Sequence, residues 1–306
     1  MRYGPYEIET VVDWIELEIQ LPESERSNFW TVQRHLREAL HLPPDAKPGI
    51  DPMDAIDTGA ASVFQFRVQD PKMPHLNQAM ASLVERFNIE AVRVVAIEIA
   101  FDTYRHGASA EDLAQIVANR YRFSTEPPAD YWHLYRKPGE EPIKVSDLGR
   151  FSDLVRYLKA EWQITDCEAR SNPEIRYHGY VKMWDNGQAL EDPSDWRARW
   201  EITLRGGKLP CKTLQELKRF KFIKLAPLFK FRRLRDDMSL MRRHTLETWW
   251  FLPLGMRGRY RRPNRSMKGR LYSGVSKYRD STVADELNES IRDCLNKLTR
   301  QWRGAK

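Results

Sequence analysis

Three stretches of this sequence alternate as β-strands do, yet place charged and titratable side chains on one face at regular spacing. In 94–102, Val94, Ala96, Glu98, Ala100 and Asp102 share a face opposite Val95, Ile97, Ile99 and Phe101. The alanines flanking Glu98 leave room for something to approach its carboxylate. In 198–205, Arg199, Glu201, Thr203 and Arg205 oppose Ala198, Trp200, Ile202 and Leu204. In 176–184, Arg176, His178, Tyr180, Lys182 and Trp184 share a face. A carboxylate in mid-strand is costly to bury without a partner, so Glu98 and Glu201 call for an explanation.

Alternate side chains stand about 7 Å apart along a strand and neighbouring strands about 4.8 Å apart, so Glu98 and Glu201 can meet across a sheet beside Tyr180. Two carboxylates from separate strands suit Mg²⁺ or Mn²⁺, hard cations that prefer oxygen. A tyrosine nucleophile needs its phenolate stabilised, which Lys182 and the cation can both do, and the cation can polarise a phosphate oxygen. Asp102 is a further carboxylate candidate. It lies about 13 Å from Glu98 along a straight strand, and a bulge is needed for the two to share an ion. His178 is expected to be structural or to contact a phosphate-bearing substrate, with a third metal ligand as the alternative, and Arg176 is expected to contact that substrate too. The competing reading is a set of solvent-facing polar rows on a one-sided sheet.

The elements that must position these residues are legible as periodicities. Residues 11–19 alternate as a strand, with Val11, Asp13, Ile15, Leu17 and Ile19 on one side. Ser27-Asn28-Phe29-Trp30 opens a helix through Leu40, closed by Pro43-Pro44. Residues 62–69 form a second strand. After Pro74 a helix carries Leu76, Met80, Leu83, Val84 and Phe87, and 91–101 is the most hydrophobic strand. Helices follow at 109–121 and 149–160, then strands at 174–184 and 197–205. The pattern predicts an α+β fold, an antiparallel-rich sheet with helices packed on it. Each half pairs strands with one or two helices, so a duplicated ferredoxin-like arrangement stays open. Helical patterns recur at 213–224, 235–250 and 281–302, the last with Val283, Leu287, Ile291, Leu295, Leu298 and Trp302 on one stripe.

The net charge of +7 conceals an asymmetry. Residues 205–279 hold 22 Lys and Arg against 4 Asp and Glu, a local balance of +18, while the remainder is acidic. Spread over a long segment and interleaved with aromatics and glycines, this excess predicts a surface that neutralises phosphates. Its densest part is Arg257, Arg259, Arg261, Arg262, Arg265, Lys268 and Arg270, in a stretch too rich in Gly, Pro and Arg to form a core. No apolar run approaches the roughly 18 residues of a spanning helix, and the first residues are unlike a secretory signal. The three cysteines, Cys167, Cys211 and Cys294, lack metal or disulfide spacing and fit a cytoplasmic protein, nucleoid-associated when on DNA. No GxxxxGK[ST] loop exists, which excludes a P-loop ATPase.

In order and in residues, ValAlaIleGluIleAlaPheAsp (95–102), ArgTyrHisGlyTyrValLysMetTrpAsp (176–185) and ArgTrpGluIleThrLeuArg (199–205) resemble the replication initiation factor family, the rolling-circle initiators of plasmids and filamentous phages. The resemblance covers roughly residues 10–205. It implies a relaxase-like fold with Tyr180 of a Tyr-x-Lys motif as nucleophile, Lys182 beside it, and Glu98 and Glu201 as metal ligands. Glu98 stands where the family more often has Asp, and no His-x-His pair occurs in this chain.

The expected organisation is a catalytic domain at 1–210 and a basic, mostly helical DNA-binding region at 211–306. The expected activity is nicking of origin DNA that leaves a 5′-phosphotyrosyl link and a free 3′-hydroxyl. Its partners would be double- and single-stranded DNA and a host helicase and polymerase; a homodimer stays open, and no membrane is implied. The alternatives are a non-catalytic DNA-binding replication or partition factor, and a nuclease using metal-activated water.

Overall fold

The computed structural model describes residues 2–3, 6–42, 49–125, 132–136, 141–148, 150–166, 173–185, 188–243, 257–259, 271–273 and 280–304. In chain order the main elements begin with β1 (Tyr6–Gln20), α1 (Phe29–Ala39), β2 (Ile50–Pro52), β3 (Val63–Gln69), α2 (Met73–Phe87), β4 (Ala91–Arg105) and α3 (Ala110–Phe123). There follow β5 (His133–Tyr135), β6 (Ile143–Lys144), α4 (Phe151–Lys159), β7 (Gln163–Thr165), β8 (Ile175–Lys182) and β9 (Arg197–Arg205). The remainder comprises α5 (Leu214–Arg219), β10 (Arg232–Leu234), β11 (Arg257–Arg259), β12 (Leu271–Ser273), β13 (Ser281–Val283) and α6 (Asp285–Trp302). The protein is therefore an α+β fold built on one large antiparallel sheet, ordered β2-β3-β1-β4-β9-β8-β7-β5-β6, with helices packed on it.

The residues fall into two compact units, one of Met1–Thr10, Phe101–Ile202 and Ile223–Leu295, the other of Val11–Ala100, Thr203–Phe222 and Asn296–Lys306. In the second unit, β1 pairs with β3 in the register Ile15↔Val68, Leu17↔Phe66 and Ile19↔Phe64. That register aligns apolar side chains in a core with Val32 and Leu36 of α1 and Leu76 and Leu83 of α2. Asn28 caps α1 by accepting the Trp30 N–H at 3.0 Å, and Asn88 ends α2 in the left-handed conformation at φ 48°.

In the first unit, Ser109 and Asp112 form a reciprocal capping box at the start of α3. Helices α3 and α4 pack on each other, and Phe101, Leu113, Val117, Trp200, Phe231 and Ile291 are buried in this unit's core. Strand β8 pairs with β7 (Ile164↔Gly179, Thr165↔His178), and β7 pairs with β5 (Gln163↔Tyr135). A Cβ on Gly179 would lie 2.6 Å from the Trp200 ring, so only glycine lets β8 approach that indole.

Several expectations need correction. Strand β9 is not half-buried: Ala198 through Leu204 are all buried, on both faces. Strand β1 buries Ile8, Thr10, Val12 and Trp14 on one face, then Ile15, Leu17 and Ile19 on the other. The expected helix at 213–224 stops at Arg219 and gives way to a 3₁₀ segment at Phe222–Phe229 that accommodates Pro227. The last helix starts at Asp285, because Ser281–Val283 pairs with Arg232–Leu234 instead. The rest of its stripe holds: Leu287, Ile291, Leu295, Leu298 and Trp302 are buried. The helical pattern at 235–250 shows a helical turn from Leu240 to Arg243, beyond which it lies outside the described residues.

Candidate active site

The odd-numbered face of β9 carries Arg199 and Glu201, each only 3% exposed. Such burial is tolerable only if the charges are matched, and they are. Tyr180 Oη on the neighbouring strand β8 donates to Glu201 Oε1 at 2.7 Å. The second carboxylate oxygen, Oε2, lies 2.9 Å from His178 Nδ1. Arg199 Nη1 stands 3.5 Å from Oε1. Burial alone would raise the Glu201 pKa. The hydrogen bond and charge of His178, then Arg199 and Tyr180, outweigh it and hold the group below its ordinary value. Glu201 is therefore an ionised acceptor clamped on the phenol.

His178 is fixed from its other side by strands β7 and β5. Its Nε2 lies 2.8 Å from Gln163 Oε1 and 3.2 Å from Tyr135 Oη. The Tyr135 ring lies nearly parallel to the imidazole, at 7° and 5.9 Å between centroids. Arg176 Nη2 donates to Tyr135 Oη at 3.0 Å. The register that sets Gln163 beside Tyr135 and His178 beside Thr165 thus assembles a polar array leading to Tyr180. Beside it opens a cleft of about 370 Å³, lined by Arg136, Glu161, His178, Tyr180, Lys182 and Trp184 among others.

Asp102 is engaged differently. Arg199 grips it with two hydrogen bonds, Nε to Oδ1 at 2.7 Å and Nη2 to Oδ2 at 2.6 Å, and Arg197 Nε adds a contact at 3.3 Å. This bidentate pairing occupies the carboxylate and raises the Arg199 pKa despite burial, which acts to lower it. Lys182 Nζ pairs with Asp185 Oδ1 at 2.8 Å.

Glu98 on β4 is buried and accepts a hydrogen bond from Thr203 Oγ1. Asp13 on β1 and Glu98 on β4 each offer one carboxylate oxygen, and these atoms lie within 4.8 Å of one another. Carboxylate oxygens at this spacing fit a hard divalent cation and not a soft one. Asp102 stands outside this group. Asp13 was not singled out in the sequence, although a signal existed: it interrupts the otherwise apolar row Val11, Ile15, Leu17 and Ile19. Of the basic cluster, Arg257 and Arg259 lie on β11, which pairs with β12, and Arg261, Arg262, Arg265, Lys268 and Arg270 lie outside the described residues. No helix among the described residues is long and apolar enough to cross a membrane.

No family model and no curated protein matches the chain. Among solved structures it is similar to one described as "Structure of Rolling Circle Replication Initiator Protein from Geobacillus stearothermophilus", at 13% identity. The match covers 78% of this chain and 91% of that one, with a TM-score of 0.34. A likeness at this level assigns neither family nor activity.

Proposed function

We propose that this protein is a rolling-circle replication initiator that nicks origin DNA with Tyr180. The observation that carries the reading is the 2.7 Å hydrogen bond from the Tyr180 phenol to a buried, ionised Glu201 that His178 and Arg199 hold in place. A phenol so clamped is oriented, and its proton has an acceptor waiting. As Tyr180 Oη attacks, an O–P bond forms and the phosphorus–O3′ bond breaks. The phenolic proton moves to the Glu201–His178 pair, and the departing 3′-oxygen takes a proton from water. The products are a 5′-phosphotyrosyl link and a free 3′-hydroxyl, which a polymerase can extend once a helicase opens the duplex.

Glu98, with Asp13 beside it, would hold Mg²⁺ or Mn²⁺, with Glu201 as the further ligand that the resemblance implies, and the bound cation would supply positive charge to the phosphate oxygens. Lys182, on the Tyr180 face of β8, and Arg136 line the same cleft and give the DNA backbone cationic contacts. The arginine-rich segment between residues 257 and 270 serves as the sequence-independent grip on duplex DNA.

The test uses the full chain with Mn²⁺ and labelled supercoiled DNA from the region flanking its own gene. The expected result is a nicked circle with protein attached covalently through Tyr180, located by peptide mapping. DNA that is bound but never attached would instead support a non-catalytic DNA-binding factor. Nicking without attachment would support a nuclease that activates water.

A further inference from the structure

The unit holding Tyr180 has a second cleft, larger than the first, that the proposed chemistry does not use. It measures about 630 Å³ and is walled by α3, β10 and the start of α6. Thr103 lines it, whereas its neighbour Asp102 points to the face that carries Glu201. Phe231, also in the lining, packs on Trp200, the β9 neighbour of Glu201 that points the other way. The cleft therefore opens on the opposite side of the sheet from Tyr180 and cannot take the phosphate that Tyr180 attacks.

Its chemistry is one-sided. Arg120, Arg122, Arg232, Arg233 and Arg243 line it, and among the described residues Asp236 is the one acidic residue in the lining. Asp236 already pairs with Arg233 at 2.6 Å and lies 3.8 Å from Arg243. The arginines are held rigidly. Arg120 lies over the Phe231 and Phe101 rings at 4.8 and 5.2 Å, and Arg122 over Phe123 and Phe151 at 5.3 Å each. Arg232 is anchored by Ser281, through Nε to Oγ at 2.9 Å and Nη2 to the backbone oxygen at 2.7 Å. Guanidinium planes stacked on aromatic rings form walls against which a flat heterocycle can stack, and they carry charge suited to phosphate. The volume falls in the range of about 300–1,000 Å³ typical of small-ligand sites, room enough for one nucleotide.

We infer that this cleft binds a nucleotide, its phosphate on the part-exposed arginines Arg120, Arg232, Arg233 and Arg243 and its base against Phe151 and the Arg120 guanidinium that covers the buried Phe231 ring. The nucleotide can be free, or it can be one unit of a DNA strand that wraps behind the sheet; both present the same phosphate and base.

The experiment measures binding of dATP by calorimetry and of a labelled oligothymidylate by fluorescence anisotropy. It uses the wild-type chain, Arg120→Gln, and Gln115→Glu, an exposed α3 residue at the cleft whose replacement puts negative charge there without disturbing the core. If the nucleotide is free, dATP binds at millimolar concentration or below and Gln115→Glu weakens it about tenfold or more, with oligonucleotide affinity unchanged. If the nucleotide belongs to a strand, oligonucleotide affinity falls by that factor in both variants. Unchanged affinity for both probes in folded Gln115→Glu, or no dATP binding together with an unaltered oligonucleotide isotherm, overturns the inference. Nicking through Tyr180 in Gln115→Glu is read in parallel, so loss of this site and failure of the nickase reading are told apart.

Discussion

Charge is handled in opposite ways by the central strands and by the segment from 205 to 279. On the odd face of β9, the two buried charges sit beside partners: Arg199 against Asp102 of β4, and Glu201 against His178, Arg199 and Tyr180. Arg205, at the strand's end, meets Glu16 at 2.6 Å. In the basic segment, 22 Lys and Arg face only 4 acids, so most of its charge has no partner in its own segment. Matched charge can enter a dry interior because each desolvation cost is offset by a hydrogen-bonded counterpart. Unmatched charge must stay near water or await phosphates from elsewhere. Perturbing the first region should therefore act on chemistry and stability, and perturbing the second on affinity and its salt dependence.

The largest expected effect is on chemistry. Tyr180→Phe removes the hydroxyl that Glu201 clamps, and covalent DNA attachment should fall by at least about 1,000-fold. Thermal stability and DNA affinity should barely change. Tyr177, buried and on the opposite face of β8, serves as the control: Tyr177→Phe should retain attachment. EDTA should stop nicking by wild-type protein, and Mg²⁺ or Mn²⁺ should restore it. Full activity in EDTA would remove the metal from the mechanism, and an adduct on the Tyr180→Phe protein would move the nucleophile elsewhere.

The next effect separates the two matched carboxylates. Asp102→Ala removes both hydrogen bonds that grip the buried Arg199 guanidinium, leaves it the longer contact to Glu201, and should cost about 3–5 kcal/mol in urea denaturation. Glu201→Gln keeps an acceptor for Tyr180 Oη and leaves Arg199 on Asp102, so its stability loss should be smaller while nicking is lost. Equal destabilisation by both would mean that Glu201 is a structural anchor of the same kind as Asp102.

These cases show what the sequence disclosed and what it did not. Alternation located β1, β3, β4, β8 and β9, and apolar spacing located α1 to α4 and the stripe of α6, because periodicity is a local property. The acidic and tyrosine positions stood out for the same reason: Glu98 lies between two alanines of its row, and Glu201 stands in a polar row opposite Ala198, Trp200, Ile202 and Leu204. Partner choice is not local. That Arg199 takes Asp102, that Asp13 lies beside Glu98, and that β9 is buried on both faces all depend on which strands become neighbours. The 3₁₀ turn at Phe222–Phe229 and the diversion of Ser281–Val283 into a strand likewise reflect tertiary packing overriding local preference.

A milder effect is expected from the unmatched region. Replacing Arg257, Arg259, Arg261, Arg262, Arg265, Lys268 and Arg270 with serine should weaken duplex binding. The slope of log affinity against log salt should fall by about 0.9 for each phosphate that the variant no longer neutralises. Stability should change little. Substitution is a cleaner test than truncation, because removing the chain from residue 255 onward would also remove α6 and its buried stripe from Leu287 to Trp302. An unaltered salt slope in the serine variant would mean that duplex recognition lies elsewhere.

The smallest expected effect concerns a third kind of buried carboxylate. Asp166 accepts the Tyr177 N–H at 2.9 Å, and burial raises its pKa from 3.8 to about 6 although that hydrogen bond and Arg176 act to lower it. Because the folded chain holds this proton more tightly than the unfolded chain, the contribution to stability is fully present below about pH 4 and is lost as the pH rises through about 6. Asp166→Asn keeps an oxygen for the Tyr177 amide and carries no charge. The variant should match wild type near the acid end of this window and exceed it above the window by up to about 3 kcal/mol, since each pKa unit is worth about 1.4 kcal/mol. Urea melts on either side of the window measure the difference directly. If the two proteins keep the same stability gap at both ends, Asp166 titrates alike in the folded and unfolded chain, and the Tyr177 amide and Arg176 alone suffice to offset its burial in this sheet.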